Sequence, residues 1–224
     1  MSQVNLASTR ASSVHAIMTK PRSKSEYFSE TAKTVMIERV REILFGVRKD
    51  LSDNKYIKKG NGCEDAAIHL YNQVFMTDLK KVDSSQRRDN GIITGEPDLI
   101  ATHDNKGIDI KNAYSIATFP MFPEQAAKKE YEWQSRAYMC LFDLDYWEIA
   151  YCFIDTPEDM RKPWEPEEHH VMDTAVPLHH RITVAGFERD MELEEQMLER
   201  CKEANKWVHE KVQAFAKIHD QYIN

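Results

Sequence analysis

Two short segments hold the residues best suited to do chemistry: Gly95-Glu96-Pro97-Asp98, and further on Ile108-Asp109-Ile110-Lys111. Between them Asp104-Asn105-Lys106-Gly107 has the composition of a tight turn. If that turn joins two antiparallel strands, Asp98 and Asp109 lie on neighbouring strands. The two-residue repeat of a strand then puts Asp109 and Lys111 on one face and turns Ile110 into the core. Two carboxylates and an ammonium converge in this arrangement, which is what hydrolysis of a phosphodiester asks for. Carboxylate oxygens are hard donors suited to Mg²⁺, an ion that keeps part of its water shell and coordinates phosphate. Such a metal stabilises charge growing on the phosphate oxygens and lowers the pKa of a bound water. A lysine beside it orients the attacking water or holds the phosphate. The backbone carbonyl of Ile110 is a further candidate ligand. Taken in isolation, the same residues also fit a turn followed by an exposed strand face, so the surroundings decide.

Two other features bear on that choice. Glu64 follows Gly60-Asn61-Gly62-Cys63 and opens a helix predicted over Glu64–Phe75, whose apolar face starts at Ala67. Alone, an acidic residue there is favourable helix-end electrostatics; upstream of the hairpin it is a third candidate carboxylate. Gln134 and Tyr138 stand four apart on a helix predicted over Gln125–Phe142 and so share one face. They are suited to bind phosphate or orient a metal ligand, although taken alone they read as surface residues.

The elements that must position these groups are set by periodicity. Helices are predicted over Ser12–Met18, broken by Lys20–Lys24, and over Ser29–Val47. A polar linker is expected over Ser52–Gly62. Ile92–His103 and Ile108–Ala113 are strand-like, as are Tyr146–Ile154 and Arg181–Phe187. Residues 1–10 are expected to be a poorly ordered lead-in and 158–180 a loop excursion, with a long helix over Met191–Ile218 closing one domain, 1–224. The order implies an α/β (α+β) domain with a central mixed sheet flanked by helices.

Bulk properties bound the rest. The chain has 224 residues, 42% hydrophobic and 30% charged, a globular balance. No apolar run reaches membrane-spanning length and the first residues lack the apolar core of a signal peptide, so a cytoplasmic protein with no membrane partner is expected. Cys63, Cys140, Cys152 and Cys201 are scattered, without metal-type spacing, and read as buried free thiols. A formal net charge of −7 excludes nucleic-acid binding through overall charge, not through a local site. Lys55, Lys58 and Lys59, Arg87 and Arg88, and Lys128 and Lys129 are the basic runs available to phosphates; each also fits a solvated face. His169-His170 and His179-His180 read as solvent-facing rather than as a zinc site. Trp133, Trp147 and Trp207 read as core, and Trp164 as the better stacking candidate.

Taken in order, these features resemble the RecB-like branch of the PD-(D/E)XK nucleases, with a restriction-endonuclease-like core. Within it they are most similar to the phage lambda exonuclease type, grouped with YqaJ-like viral recombination nucleases. Ala11-Ser12-Ser13-Val14-His15 and Lys20-Pro21-Arg22-Ser23 resemble the family's N-terminal helix and basic turn, and Gly60–Ala66 its acidic helix start. Pro97-Asp98 with Asp109-Ile110-Lys111 is similar to its active-site hairpin. Gln134–Tyr138 and Trp147–Asp155 resemble the helix and strand after that hairpin, and Glu188-Arg189-Asp190 the approach to the last helix. The resemblance implies a Mg²⁺-dependent exonuclease, with Mn²⁺ as a substitute and two ions in all, degrading one strand of linear double-stranded DNA from its 5′ end. It implies a homotrimer and a single-strand annealing protein as partner. Glu64, Asp98 and Asp109 would ligate metal and Lys111 would assist the nucleophilic water, while Ser12 matches a serine near a 5′-phosphate pocket. The family's arginine upstream of that serine has no counterpart at the same distance; Arg10 stands nearer. Alternatives are a catalytically weak or inactive DNA-end-binding protein on the same fold, and an endonuclease.

Overall fold

The computed structural model describes residues 8–48 and 54–220. Thr9–Arg10 (β1) leads through a 3₁₀ turn into Val14–Ile17 (α1), and Glu30–Phe45 forms α2. Ser29 caps α2 by accepting from the Ala32 N–H at 3.0 Å, and Gly46 ends it with φ +68°. Lys55–Gly62 is a helix (α3), not a linker, its first amides capped by the Asn54 side chain. Its middle is anchored by Lys59, whose side chain is fully buried. Glu64–Phe75 (α4) comes directly after it.

The strand-like stretch after residue 92 divides at Pro97. Arg88–Asp89 (β2) and Ile93–Gly95 (β3) join β1 in a three-stranded sheet of order β1-β3-β2. Thr9 and Arg10, expected in a poorly ordered lead-in, thus pair in parallel with Ile93 and Thr94. Leu99–Ala101 (β4) and Lys106–Asn112 (β5) are the hairpin, with Asn105 in the left-handed region at φ 48°. The helix expected over Gln125–Phe142 is two, Pro123–Ala126 (α5) and Lys129–Phe142 (α6). Tyr146–Cys152 (β6), Ile182–Glu188 (β7) and Met191–Asp220 (α7) complete the described chain. The central sheet has the order β4-β5-β6-β7, antiparallel, parallel, antiparallel. It is the mixed sheet that the element order implies. No helix among the described residues is long and apolar enough to cross a membrane.

Strand alternation gives this sheet two buried faces. One carries Trp147, Ile149 and Tyr151 of β6 under α6, continuous with Met36 of α2 and Met197 and Cys201 of α7. The other carries Ile108 and Ile110 of β5 with Ala150 and Cys152 of β6, under Ala67, Ile68, Leu70 and Tyr71 of α4. The Trp147 ring lies across Gly107 so closely that a Cβ there would meet it at 2.1 Å, so only glycine fits. Trp133 and Trp207 pack against the first core and Trp164 is exposed, as their sequence contexts imply.

The excursion between β6 and β7 contains only 3₁₀ turns, yet it is tied down. His170 is buried rather than solvent-facing, its ring beside Tyr114 O and Thr156 Oγ1, both at 3.3 Å. Glu165 accepts from the Tyr114 hydroxyl at 2.5 Å and pairs with Lys55 at 3.0 Å. His169, His179 and His180 are exposed.

Candidate active site

The β4–β5 register, Leu99 opposite Ile108, continues by one position to set Asp98 across from Asp109. Asp98 Oδ2 accepts the Ile110 N–H at 2.7 Å. A strand residue directs its N–H and C=O to the same side, so the Ile110 carbonyl also faces the edge that Asp98 occupies. The Ile110 side chain belongs to the α4 core. Asp109, 3% exposed, and Lys111 share the opposite face, and the Lys111 ammonium contacts Asp109 Oδ2.

Charge in this site is unbalanced. Burial raises the Asp98 pKa to about 8 and the neighbouring Asp109 adds to the shift, against the pull of Lys111 and the Ile110 amide. Burial acts to lower the Lys111 pKa, but Asp109 and Asp98 outweigh it and the net shift is upward. Apart from its ion contact with Lys111, Asp109 Oδ2 is buried without a hydrogen-bond partner. Two hard carboxylates beside a backbone carbonyl suit Mg²⁺, which is held by one or two carboxylates and retains waters.

Glu64 is not drawn into this pair. It opens α4 on the far face of the sheet and is engaged by Lys81 at 2.5 Å, although its charge still acts on Asp98. Among the described residues no group of three His, Cys, Asp or Glu side chains stands close enough to hold a metal ion. Tyr138, by contrast, is buried and oriented. It stacks on Trp147 with ring centroids 4.8 Å apart, and a Cβ on Gly95 would meet it at 2.7 Å. Gln134 hydrogen-bonds its hydroxyl; burial, then the charge of Asp109, holds the phenol pKa well above its ordinary value.

Ser12 is exposed and lines a cavity of about 300 Å³ with Arg10, Arg39, Glu42 and Arg48. Arg10 is committed to Glu42, which also takes Arg39 at 2.8 Å and Arg48 at 3.4 Å. Among the basic runs, Arg87 pairs with Glu96 at 3.2 Å, and Arg88 donates to Leu141 O. Lys59 is fully buried, donating to Ala113 O and Ile154 O at 2.6 Å and to Thr156 Oγ1 at 2.8 Å.

Residue-type reasoning alone passes over Tyr131, Tyr151 and the setting of Lys128. Tyr151 is the register partner of Lys111 on β6, and the Lys111 ammonium lies 5.4 Å from the Tyr131 ring. The signal was present in spacing: Tyr131, Gln134 and Tyr138 share one helix face, and Tyr151 continues the strand alternation of Trp147 and Ile149.

Comparison with solved structures matches this architecture. A phage-related exonuclease from Haemophilus somnus 129PT aligns with a TM-score of 0.84 and 30% identity, over 95% of this chain and 96% of that one. The alkaline exonuclease LHK-Exo from Laribacter hongkongensis aligns with a TM-score of 0.71 and 17% identity, over 97% and 96%. Its complex with dAMP gives 0.69 at 17% identity over the same shares. No protein-family model matches the chain, and no curated protein does.

Proposed function

Because the chain belongs to the phage-related, lambda-exonuclease-like (YqaJ) family of PD-(D/E)XK exonucleases, we propose that it is a Mg²⁺-dependent enzyme that degrades one strand of linear double-stranded DNA in the 5′-to-3′ direction. The observation that carries this reading is the meeting of Asp98, Asp109 and Lys111 at one hairpin, with the buried Asp109 Oδ2 met only by the Lys111 ammonium.

Asp98, Asp109 and the Ile110 carbonyl would hold the cation, with Glu64 joining after release from Lys81 if a second ion binds. When bound, Mg²⁺, or Mn²⁺ in its place, supplies charge neutralisation on the phosphate and a water of lowered pKa. Lys111, kept charged by its carboxylate neighbours, orients the attacking water and the scissile phosphate. Gln134 and Tyr138, hydrogen-bonded to each other within reach of the Asp109 charge, would orient the phosphate. Asp98, with its raised pKa, is able to take a proton near neutrality until a cation drives it to the carboxylate form. The dAMP bound to LHK-Exo is the kind of product such a reaction leaves. Ser12, with Arg10 if it exchanges Glu42 for a terminal phosphate, would read the 5′ end. A homotrimer, a single-strand annealing partner and a cytoplasmic setting accompany this reading.

The test is digestion of linear duplexes labelled at one 5′ end, with and without a terminal phosphate, beside closed circular DNA. Release of nucleotides from the labelled end with Mg²⁺, faster on the phosphorylated duplex and abolished by EDTA, is expected. Binding of ends without nucleotide release in Mg²⁺ or Mn²⁺ would contradict it, and cleavage of the circle would make the enzyme an endonuclease. Equal rates on both ends would remove the role given to Ser12 and Arg10.

A further inference from the structure

Beside the catalytic lysine lies a second cation, held in a different way. Lys128 precedes α6, and its ammonium donates to the Tyr151 hydroxyl at 3.3 Å. That hydroxyl shares a 2.8 Å hydrogen bond with the Tyr131 hydroxyl. The Tyr131 ring lies 5.5 Å from the Lys128 ammonium and 5.4 Å from that of Lys111, so one aromatic ring neighbours both cations. Among the described residues Lys128 has no carboxylate partner, whereas Lys111 faces two. Lys128 and Tyr151 also line a cavity of about 190 Å³ with Thr118, Gln125 and Pro120. That volume is several times the roughly 30 Å³ a water occupies in the liquid, and so has room for a phosphate.

The walls are ordered. Thr118 is fixed by hydrogen bonds with Ser115 at 2.9 Å, and the Gln125 carbonyl accepts from the Met121 and Phe122 amides at 2.7 and 3.1 Å. Tyr151 is buried, so its hydroxyl is a fixed rather than a roaming partner. Phenols orient an ammonium without neutralising it, and the positive end of α6 reinforces its field. An oriented cation with no anion of its own, beside a cavity on the catalytic face, is suited to take an anion from outside.

We propose that Lys128, seated on the Tyr131–Tyr151 phenol pair, is a second phosphate anchor that holds a phosphate neighbouring the scissile one; the proposal rests on the nuclease reading. The shared chemistry is a phosphate oxyanion, either a diester of the bound strand or the monoester of a released nucleotide. Lys128 contacts the phosphate, while Tyr131 and Tyr151 are positioning residues.

The experiment measures equilibrium binding of linear duplexes in EDTA, each carrying one neutral methylphosphonate at a successive linkage from the 5′ end. It uses the wild type, Lys128→Ala, Lys128→Arg and Tyr151→Phe, with inhibition of hydrolysis by dAMP measured in parallel. The wild type is expected to lose about ten-fold in affinity at one linkage, in keeping with loss of one charge-assisted hydrogen bond. Lys128→Ala should bind the unmodified duplex about ten-fold more weakly, lose its response to the neutral linkage there, and show a salt slope lower by about one. Lys128→Arg should restore most of the affinity, and Tyr151→Phe should weaken binding by less than Lys128→Ala. If the linkage profile is unchanged but Lys128→Ala weakens dAMP inhibition, the anchor stands and serves the product. Wild-type affinity, salt slope and dAMP inhibition in Lys128→Ala would overturn the anchor. Absence of hydrolysis by the wild type in any metal would overturn the nuclease reading instead, with the binding profile still readable.

Discussion

Lys59 and Lys111 are both drawn into the protein close to β5, and their surroundings are opposite in kind. Lys59 is met by neutral oxygens: Ala113 O, Ile154 O, Thr156 Oγ1 and, at 3.3 Å, Tyr114 O. Burial lowers its pKa to about 8. Lys111 is met by the carboxylates of Asp109 and Asp98, which raise its pKa despite burial. At Lys59 the acceptors use up the ammonium's donors and tie the ends of β5 and β6 to α3, leaving no group free to react. At Lys111 two acids oppose one base, so Asp98 is pushed toward its protonated form near neutrality and room is left for a further positive charge. The first arrangement is a staple; the second has a deficit that a cation and a phosphate together can fill.

The sharpest way to break this contrast is to remove each lysine in turn. Lys111→Ala should lower kcat per folded molecule on linear duplex by about a hundred- to a thousand-fold, the cost of losing one oriented charge at a reacting phosphate; it also leaves two buried acids without their cation, so the urea midpoint should fall as well. Retention of wild-type kcat would place Lys111 with the structural lysine. Lys59→Met should cost stability and spare the chemistry. It leaves buried carbonyls without a donor and should cost about 3–5 kcal/mol, read as a lower urea midpoint at unchanged m. Activity per folded molecule should stay within about three-fold; a loss comparable to that of Lys111→Ala would show that the staple also serves the chemistry.

Mg²⁺ sharpens the comparison from the acidic side. At a hundred times its dissociation constant the ion should stabilise the wild type by about 2.7 kcal/mol, and Asp109→Asn should abolish most of that increment in thermal unfolding. An equal increment in the variant would move the cation elsewhere.

The smallest effect concerns the excursion packed against α3 beside Lys59. Hydrogen bonds from Tyr114 and Lys55 lower the Glu165 pKa to about 2 from its ordinary 4.5. The unfolded chain therefore binds more protons between those values. This contribution is full above about 4.5 and is lost as pH falls toward about 2. Glu165→Gln should flatten that part of the stability profile; an unchanged slope would show that Glu165 does not tie the excursion down.

Legibility in the sequence divides along the same line. Asp98, Asp109 and Lys111 are brought together within one hairpin, by turn chemistry at Asn105 and Gly107 and by strand alternation, so their convergence is readable locally. The start of α4 at Glu64 is likewise set by the helix face beginning at Ala67. Its capture by Lys81 is a loop contact that no periodicity announces. Lys59 and His170 lie in polar runs, and the residues that bury them are far along the chain: Ala113 for the first, Tyr114 for the second. Gly60, Asn61 and Gly62 are weak helix formers, so the run reads as a linker until the Asn54 cap and those long-range bonds outweigh propensity. The resemblance to the nuclease family reaches the right architecture because its motifs sit on the locally determined parts.

The proposed chemistry centres on a divalent cation shared by Asp98 and Asp109. Crystals soaked in Mn²⁺ and measured at the manganese absorption edge test this directly. Anomalous density within coordination distance of both carboxylates and the Ile110 carbonyl, about 2.0–2.2 Å away, is the expected result, lost in Asp109→Asn. Density only at other acidic groups, with Asp98 and Asp109 still bound to nothing but Ile110 and Lys111, would contradict it.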